Sequence, residues 1–84
     1  MGHPNAKFHG ERLREMREKN QLRQGPLANY LSVSQSTYSK YEQEKILLPI
    51  NSLPVIAAYL NVDPNYLIGV IDSPLPYPKN TGIE

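Results

Sequence analysis

The strongest periodic signal in this chain is also a short one. Leu53, Ile56, Ala57 and Leu60 recur at i, i+3, i+4 and i+7, the spacing of one helix face. Ser52 precedes the run as a capping residue, and Pro54 still falls within a first turn, where proline is tolerated. Asp63-Pro64 follows almost at once and starts a new element. The other helical stretches are cut equally short by Gly, Pro or a capping residue. No alternation of period two is long enough to make a strand. A chain punctuated in this way buries apolar surface by stacking short helices against one another. The expected fold class is therefore all-α, a compact bundle of four to five short helices.

The individual elements follow from their caps and faces. Glu11–Asn20 predicts a first helix, with Leu13, Met16 and Arg17 on one face and charges of both signs around the others. Leu22 then serves as an apolar anchor. Pro26–Leu31 predicts a second helix with Gly25 as its N-cap and Leu27, Ala28 and Leu31 facing inward. Ser32-Val33 forms a tight turn. Ser34 caps a third helix that runs to about Gln43. Tyr38 and Tyr41 point inward from it, and Gln35, Ser36, Ser39, Lys40 and Gln43 point outward. Lys45–Asn51 is a loop, Ser52 opens the fourth helix, and Asp63 caps a short fifth that ends near Ile68 before Gly69. Residues 1–10 are expected to form an N-terminal arm and 11–71 the folded domain. Pro74, Pro76 and Pro78 mark 72–84 as an extended Pro-rich tail.

Composition narrows the function. Leu, Ile, Val and Phe account for 21 of 84 residues, enough for a folded but small core. A domain of this size buries only about 60% of its unfolded surface, so its margin of stability is thin. There is no cysteine, which removes disulfide scaffolds, thiol catalysis and Cys-based zinc or iron–sulfur sites. No Gly-rich phosphate loop or nucleophile–base signature is present. His3 and His9 have no cluster of partners, and Glu15 and Glu18 lie among Arg14, Arg17 and Lys19 as solvated helix charge. No enzymatic activity, cofactor or metal is expected. The absence of an apolar run near 20 residues and of a signal-peptide pattern leads to an expectation of no membrane partner and a cytoplasmic location. Net charge is only +1, but residues 1–45 carry eight basic and five acidic side chains, and the remainder one basic and three acidic. The basic half is a weak pointer to an anionic partner.

The informative stretch is Leu22 to Glu42. Two short helices are joined by a tight turn, with the small Ala28 where the second must cross closely. The second displays Gln, Ser, Ser and Lys outward. A helix of this kind fits the DNA major groove, where Gln pairs with adenine, Lys reaches guanine and Ser serves several bases. Nearby Lys and Arg would position it through phosphates. The run from Leu22-Arg23-Gln24-Gly25-Pro26-Leu27-Ala28 through Val33-Ser34-Gln35-Ser36-Thr37 to Tyr41-Glu42 resembles the helix-turn-helix of the Cro/repressor (XRE) family. Leu13 to Glu18 is similar to that family's first helix, and Leu53 to Gly69 to its last two. The resemblance covers about residues 9–69 and implies a lambda-repressor-like bundle.

The resemblance also implies roles. Gln35, Ser36 and Lys40 fall where base-reading residues sit. Arg23, Gln24, Thr37, Ser39, Gln43 and Lys45 fall where further base or phosphate contacts are made. Arg17 and Glu42 match a structural ion pair between the first and third helices. Tyr66, Leu67, Val70 and Ile71 would close the core or form a homodimer seam. Five features depart from the family pattern. Arg23 stands where a Ser or Thr cap is usual, and Gly25-Pro26 where two helix-favouring residues are. Ser32 stands where Gly or Asn is commoner, Glu44 where a helix-ending Gly is usual, and Ile46-Leu47-Leu48 in a loop often rich in Lys or Arg. Fewer phosphate contacts and a shallower salt dependence are expected. The function expected is that of a sequence-specific regulator of transcription acting on double-stranded DNA, and a repressor. The alternative is a protein-interaction module or antitoxin-type regulator on the same fold, using the Ile46-Leu48 loop toward a protein partner.

Overall fold

Five helices and no strand make up the computed structural model, which describes residues 6–74. The expected tail beyond residue 74, and His3 in the expected arm, lie outside the described residues. The helices are α1 (Gly10–Lys19), α2 (Gln24–Tyr30), α3 (Gln35–Glu42), α4 (Ser52–Leu60) and α5 (Pro64–Leu67). Two caps are as the sequence dictates. The Ser34 hydroxyl accepts from the Thr37 N–H at 3.0 Å, and the Asp63 carboxylate accepts from the Asn65 N–H at 2.9 Å, with Pro64 in the first turn.

Three helix starts differ from expectation. α1 begins at Gly10, one residue before the expected Glu11, so the buried Gly10 belongs to the helix and not to an arm. α2 begins at Gln24 with Arg23 as N-cap, so Gly25 and Pro26 lie inside its first turn. The N–H groups of a first turn have no intrahelical acceptor, so Pro26 loses no bond there. α4 takes Asn51 as N-cap instead of Ser52, because Pro49–Asn51 already turns the chain and the Ser52 N–H donates to the Pro49 carbonyl at 2.9 Å.

The core is built from every helix. Leu13 and Met16 of α1, Leu27 and Ala28 of α2, Tyr38 and Tyr41 of α3, Ile56, Ala57 and Leu60 of α4, and Tyr66 and Leu67 of α5 are buried together with Val62. The helical faces read from spacing are the faces that pack. Leu31, expected to face inward, is only half-buried and packs against the core's edge. Tyr38 and Tyr41 meet edge to face, with centroids 6.3 Å apart.

α1 and α3 meet closely where α1 begins. A Cβ on Gly10 would overlap the Glu42 carbonyl oxygen, so only glycine fits. The segment just before α1, expected to be part of an arm, is docked where it is described. The His9 N–H donates to the Leu67 carbonyl at 2.8 Å and the Lys7 N–H to the Ile68 carbonyl at 3.1 Å. Phe8 packs against the core. Extended backbone offers its own hydrogen-bonding groups to the carbonyls that α5 leaves open, a match that side-chain periodicity does not encode. Gly69, at φ +80°, lies against the His9 ring.

Arg12 holds the far end of the domain. Its Nη1 donates to the Tyr66 and Ile71 carbonyls at 2.7 and 3.0 Å, and its guanidinium lies 4.3 Å from the Tyr66 ring centroid. The Tyr66 hydroxyl donates to Glu15 at 2.7 Å. Glu15, expected to be merely solvated, therefore ties α1 to α5. Tyr66 and Leu67 are buried within one chain, whereas Val70 and Ile71 are half-buried.

Candidate nucleic-acid interface

α2 and α3 are joined by a three-residue approach to the Ser34 cap. The Ser32 N–H donates to the Asn29 carbonyl and the Val33 N–H to the Ala28 carbonyl, at 3.0 and 2.9 Å. Closing α2 this way requires a left-handed residue, and Ser32 supplies it at φ +60°. The family-typical Gly or Asn is absent, but the conformation it would favour is kept. Ser34 then sets the direction of α3.

The ion pair expected from Arg17 and Glu42 is present and fixes α3 on α1. Arg17 Nε donates to Glu42 Oε2 at 2.6 Å and Nη2 to Oε1 at 3.2 Å. Arg17 Nη1 also donates to the Leu22 carbonyl at 2.8 Å. Glu42 is buried, and its hydrogen bond holds the Arg17 guanidinium above its ordinary pKa. Gln24 sits at the first position of α2, and its amide donates to Glu42 Oε1 at 3.1 Å. One buried carboxylate thus gathers α1, α2 and α3. The Tyr38 hydroxyl is buried close to both members of this pair, but makes no hydrogen bond of good geometry to either. Burial, with the neighbouring carboxylate second, pushes its phenol well above the ordinary tyrosine range.

The remaining α3 side chains fall into two groups. Gln35, Ser36 and Lys40 are exposed and make no side-chain hydrogen bond or ion pair among the described residues. The others are engaged locally. The Ser34 hydroxyl donates to the Thr37 hydroxyl at 2.9 Å, and the Gln43 amide donates to the Ser39 hydroxyl at 2.8 Å. Arg23 and Lys45 are exposed at the start of α2 and just past the end of α3.

A cleft of about 180 Å³ opens beside this face, lined by Arg14, Arg17, Gln24, Ser39, Glu42 and Gln43. Arg14 is the member that sequence reasoning passed over. It lies one turn before Arg17 on α1, and that spacing was the available signal. Its Nε donates to Glu18 at 3.1 Å on the surface, in an arrangement that leaves it free to exchange partners.

Glu44 occupies a left-handed position, φ +59°, where the family pattern has glycine. Its Oε2 accepts from the Gly10 N–H at 2.9 Å, and its Oε1 lies 3.6 Å from Lys7 Nζ. The His9 side chain does not cap α1, so Glu44 supplies that helix with an anion across the fold. The Glu44 carboxylate is thereby drawn onto the protein.

Among the described residues there is no cluster of metal-ligating side chains, and no helix is long and apolar enough to cross a membrane. Residues 10–73 match the family described as helix-turn-helix domain. A Bacillus subtilis protein named as an uncharacterized HTH-type transcriptional regulator, YobD, is 32% identical over 66 residues. That alignment covers 79% of this chain and 59% of the relative, so the chain spans about three fifths of that protein's length. No solved structure matches.

Proposed function

The chain belongs to the helix-turn-helix family of Cro/repressor (XRE) type, and from that premise we propose that it is a sequence-specific DNA-binding regulator of transcription. α3 enters the major groove, with Gln35, Ser36 and Lys40 against base edges. The observation that carries this reading is the contrast along α3. Its inward residues are buried and its flanking polar residues are satisfied, whereas these three side chains are solvent-exposed with no protein partner. Arg23, Lys45 and Arg14 contact phosphates, and the cleft beside Arg14 and Gln24 receives one of them. Thr37, Ser39 and Gln43 add contacts by exchanging their local hydrogen bonds. The protein acts as a repressor by occupying a promoter, and two copies bind half-sites about 34 Å apart.

Selection from a pool of random-sequence duplexes at moderate salt tests the reading. Enrichment of a defined sequence is the expected result. A variant carrying Gln35→Ala and Lys40→Ala should lose that preference while unfolding within about 0.5 kcal/mol of the parent, since both sites are exposed. No enrichment at any salt concentration refutes the DNA reading for this chain.

A further inference from the structure

The segment that leaves α3 is short of cations. Between Lys45 and Asp63 the chain carries no charged side chain, so Ile46-Leu47-Leu48 has no cation to offer a phosphate. Two arginines of α1 are already committed within the fold. Arg12 donates to the Tyr66 and Ile71 carbonyls, and Arg17 to Glu42 and the Leu22 carbonyl. A cation reaches the same place from the other end of the chain. Two backbone bonds close the exit of α3, from the Glu44 N–H to the Tyr41 carbonyl at 3.1 Å and from the Lys45 N–H to the Lys40 carbonyl at 2.9 Å. They fix the backbone of Glu44, whose carboxylate lies 3.6 Å from Lys7 Nζ. The Lys7 main chain is fixed in turn, by its N–H on the Ile68 carbonyl and by Phe8 packed against the core. Lys7, Lys40 and Lys45 are thus brought to one end of α3. The Lys7 side chain is 65% exposed, so its ammonium keeps donors for a partner outside the protein.

We propose that Lys7 is a phosphate-binding residue, holding the DNA backbone beside the exit of α3 in place of the cations that the following loop lacks. The inference deepens the DNA reading above and rests on it. Three points favour a phosphate over a purely internal role. An ion pair as exposed as Lys7–Glu44 adds little to stability and exchanges partners readily. Glu44 is held without Lys7, because its Oε2 accepts from the Gly10 N–H at 2.9 Å. A main chain fixed before binding also loses less entropy there than a loose arm would. With Glu44 alongside, Lys7 bridges carboxylate and phosphate and offsets their repulsion.

The affinity of the full 84-residue chain for a DNA duplex, measured by fluorescence anisotropy from about 50 to 200 mM salt, tests the proposal. The proteins compared are the parent, Lys7→Ala, Glu44→Gln and the two changes combined. Each phosphate contact adds about 0.9 to the slope of log affinity against log salt. Lys7→Ala should flatten the slope by about that amount, with or without Glu44→Gln, so that a fourfold rise in salt weakens binding about 3.5-fold less. Lys7→Arg should keep the parent slope, and base preference should not change, since a phosphate carries no sequence. An unchanged slope overturns the proposal, even where affinity falls. A slope that Lys7→Ala flattens only while Glu44 is present overturns it too, because Lys7 would then merely screen the carboxylate. The duplex is one enriched by selection, or a mixed sequence where none is enriched. An enriched duplex bound with a slope indifferent to Lys7 refutes this inference alone. No enriched duplex, with a slope that Lys7→Ala flattens, refutes sequence reading alone. A chain that binds no duplex at the lowest salt refutes both.

Discussion

Tyr38→Phe isolates one oxygen atom in the middle of the domain and tests how the ion pair beside it is satisfied. The Tyr38 ring is wholly buried, and its hydroxyl finds no hydrogen-bond partner. A buried, unpaired polar group costs about 1–3 kcal/mol relative to its hydration in the unfolded chain. Phenylalanine keeps the ring and its edge contact with Tyr41 while removing that cost. The expected gain is about 1 kcal/mol, or about 4–8 °C in Tm for a domain of this size. Urea unfolding followed by circular dichroism at neutral pH measures it.

The same oxygen has a signature in alkali. A tyrosine raised in the native state keeps its proton while the unfolded chain loses it, so its contribution is complete below the unfolded pKa of about 10 and is lost above it. The parent should therefore lose about 1.4 kcal/mol per pH unit from Tyr38 alone once the pH passes about 10. Burial also raises Tyr66, so the Tyr38→Phe variant should show a shallower alkaline slope and not a flat one. A destabilisation of about 1 kcal/mol or more in the variant at neutral pH would mean that the hydroxyl donates to Glu42, and the reasoning would fail.

Four other substitutions probe the frame around α3. Arg17→Met strands the buried Glu42 carboxylate and should cost about 3–5 kcal/mol in urea unfolding; a loss below 1 kcal/mol would show that Glu42 reaches water or another donor. Gly10→Ala places a methyl on the Glu42 carbonyl and should cost at least about 1–3 kcal/mol. Gly25→Ala meets Gln35 Oε1 at 3.6 Å beyond its chain neighbours, but Pro26 follows it and crowds a Cβ on a helical residue, which offsets the gain in helix propensity, so the change should stay within about 1 kcal/mol of the parent; a larger loss for Gly25→Ala than for Gly10→Ala in thermal melts would contradict the geometry. Glu44→Gln keeps an acceptor for the Gly10 N–H but removes the charge at the start of α1. It should cost about 0.3–1 kcal/mol at low salt and less at high salt, read from paired unfolding curves.

What could be read from sequence were the features whose cause is local. Ser34 and Asp63 accept from N–H groups three and two residues on, so their roles are written within a few positions. The inward faces of α1, α3 and α4 follow from 3.6-residue spacing. The start of α2 was misplaced because Gly25-Pro26 has two local solutions, at the cap or within the first turn, and the bond from Gln24 to Glu42 accompanies the second. Contacts between distant positions left no local trace. Glu44 serves Gly10 from 34 residues away, Glu15 meets Tyr66 across 51, and Lys7 and His9 pair with the end of α5 through backbone atoms alone. The Arg17–Glu42 pair is as remote, and it was reached by family resemblance and not by spacing. At the interface, the types Gln, Ser and Lys suggested base reading, but only the folded arrangement separates Gln35, Ser36 and Lys40 from neighbours already occupied.

The left-handed residues bear on how far this protein stands from its most stable form. Gln21, Ser32, Glu44 and Asn61 all adopt positive φ at or near helix ends, where glycine is free of the clash that a Cβ brings. For a side-chain-bearing residue the conformation costs roughly 1–2 kcal/mol, less for asparagine. Gln21 and Ser32 make no side-chain hydrogen bond among the described residues that glycine would forfeit, so both positions hold unused thermal headroom. Glu44 differs, because the strained backbone aims its carboxylate at α1. Its departure from the family's glycine exchanges an easy turn for a cross-link between the exit of α3 and the first residue of α1.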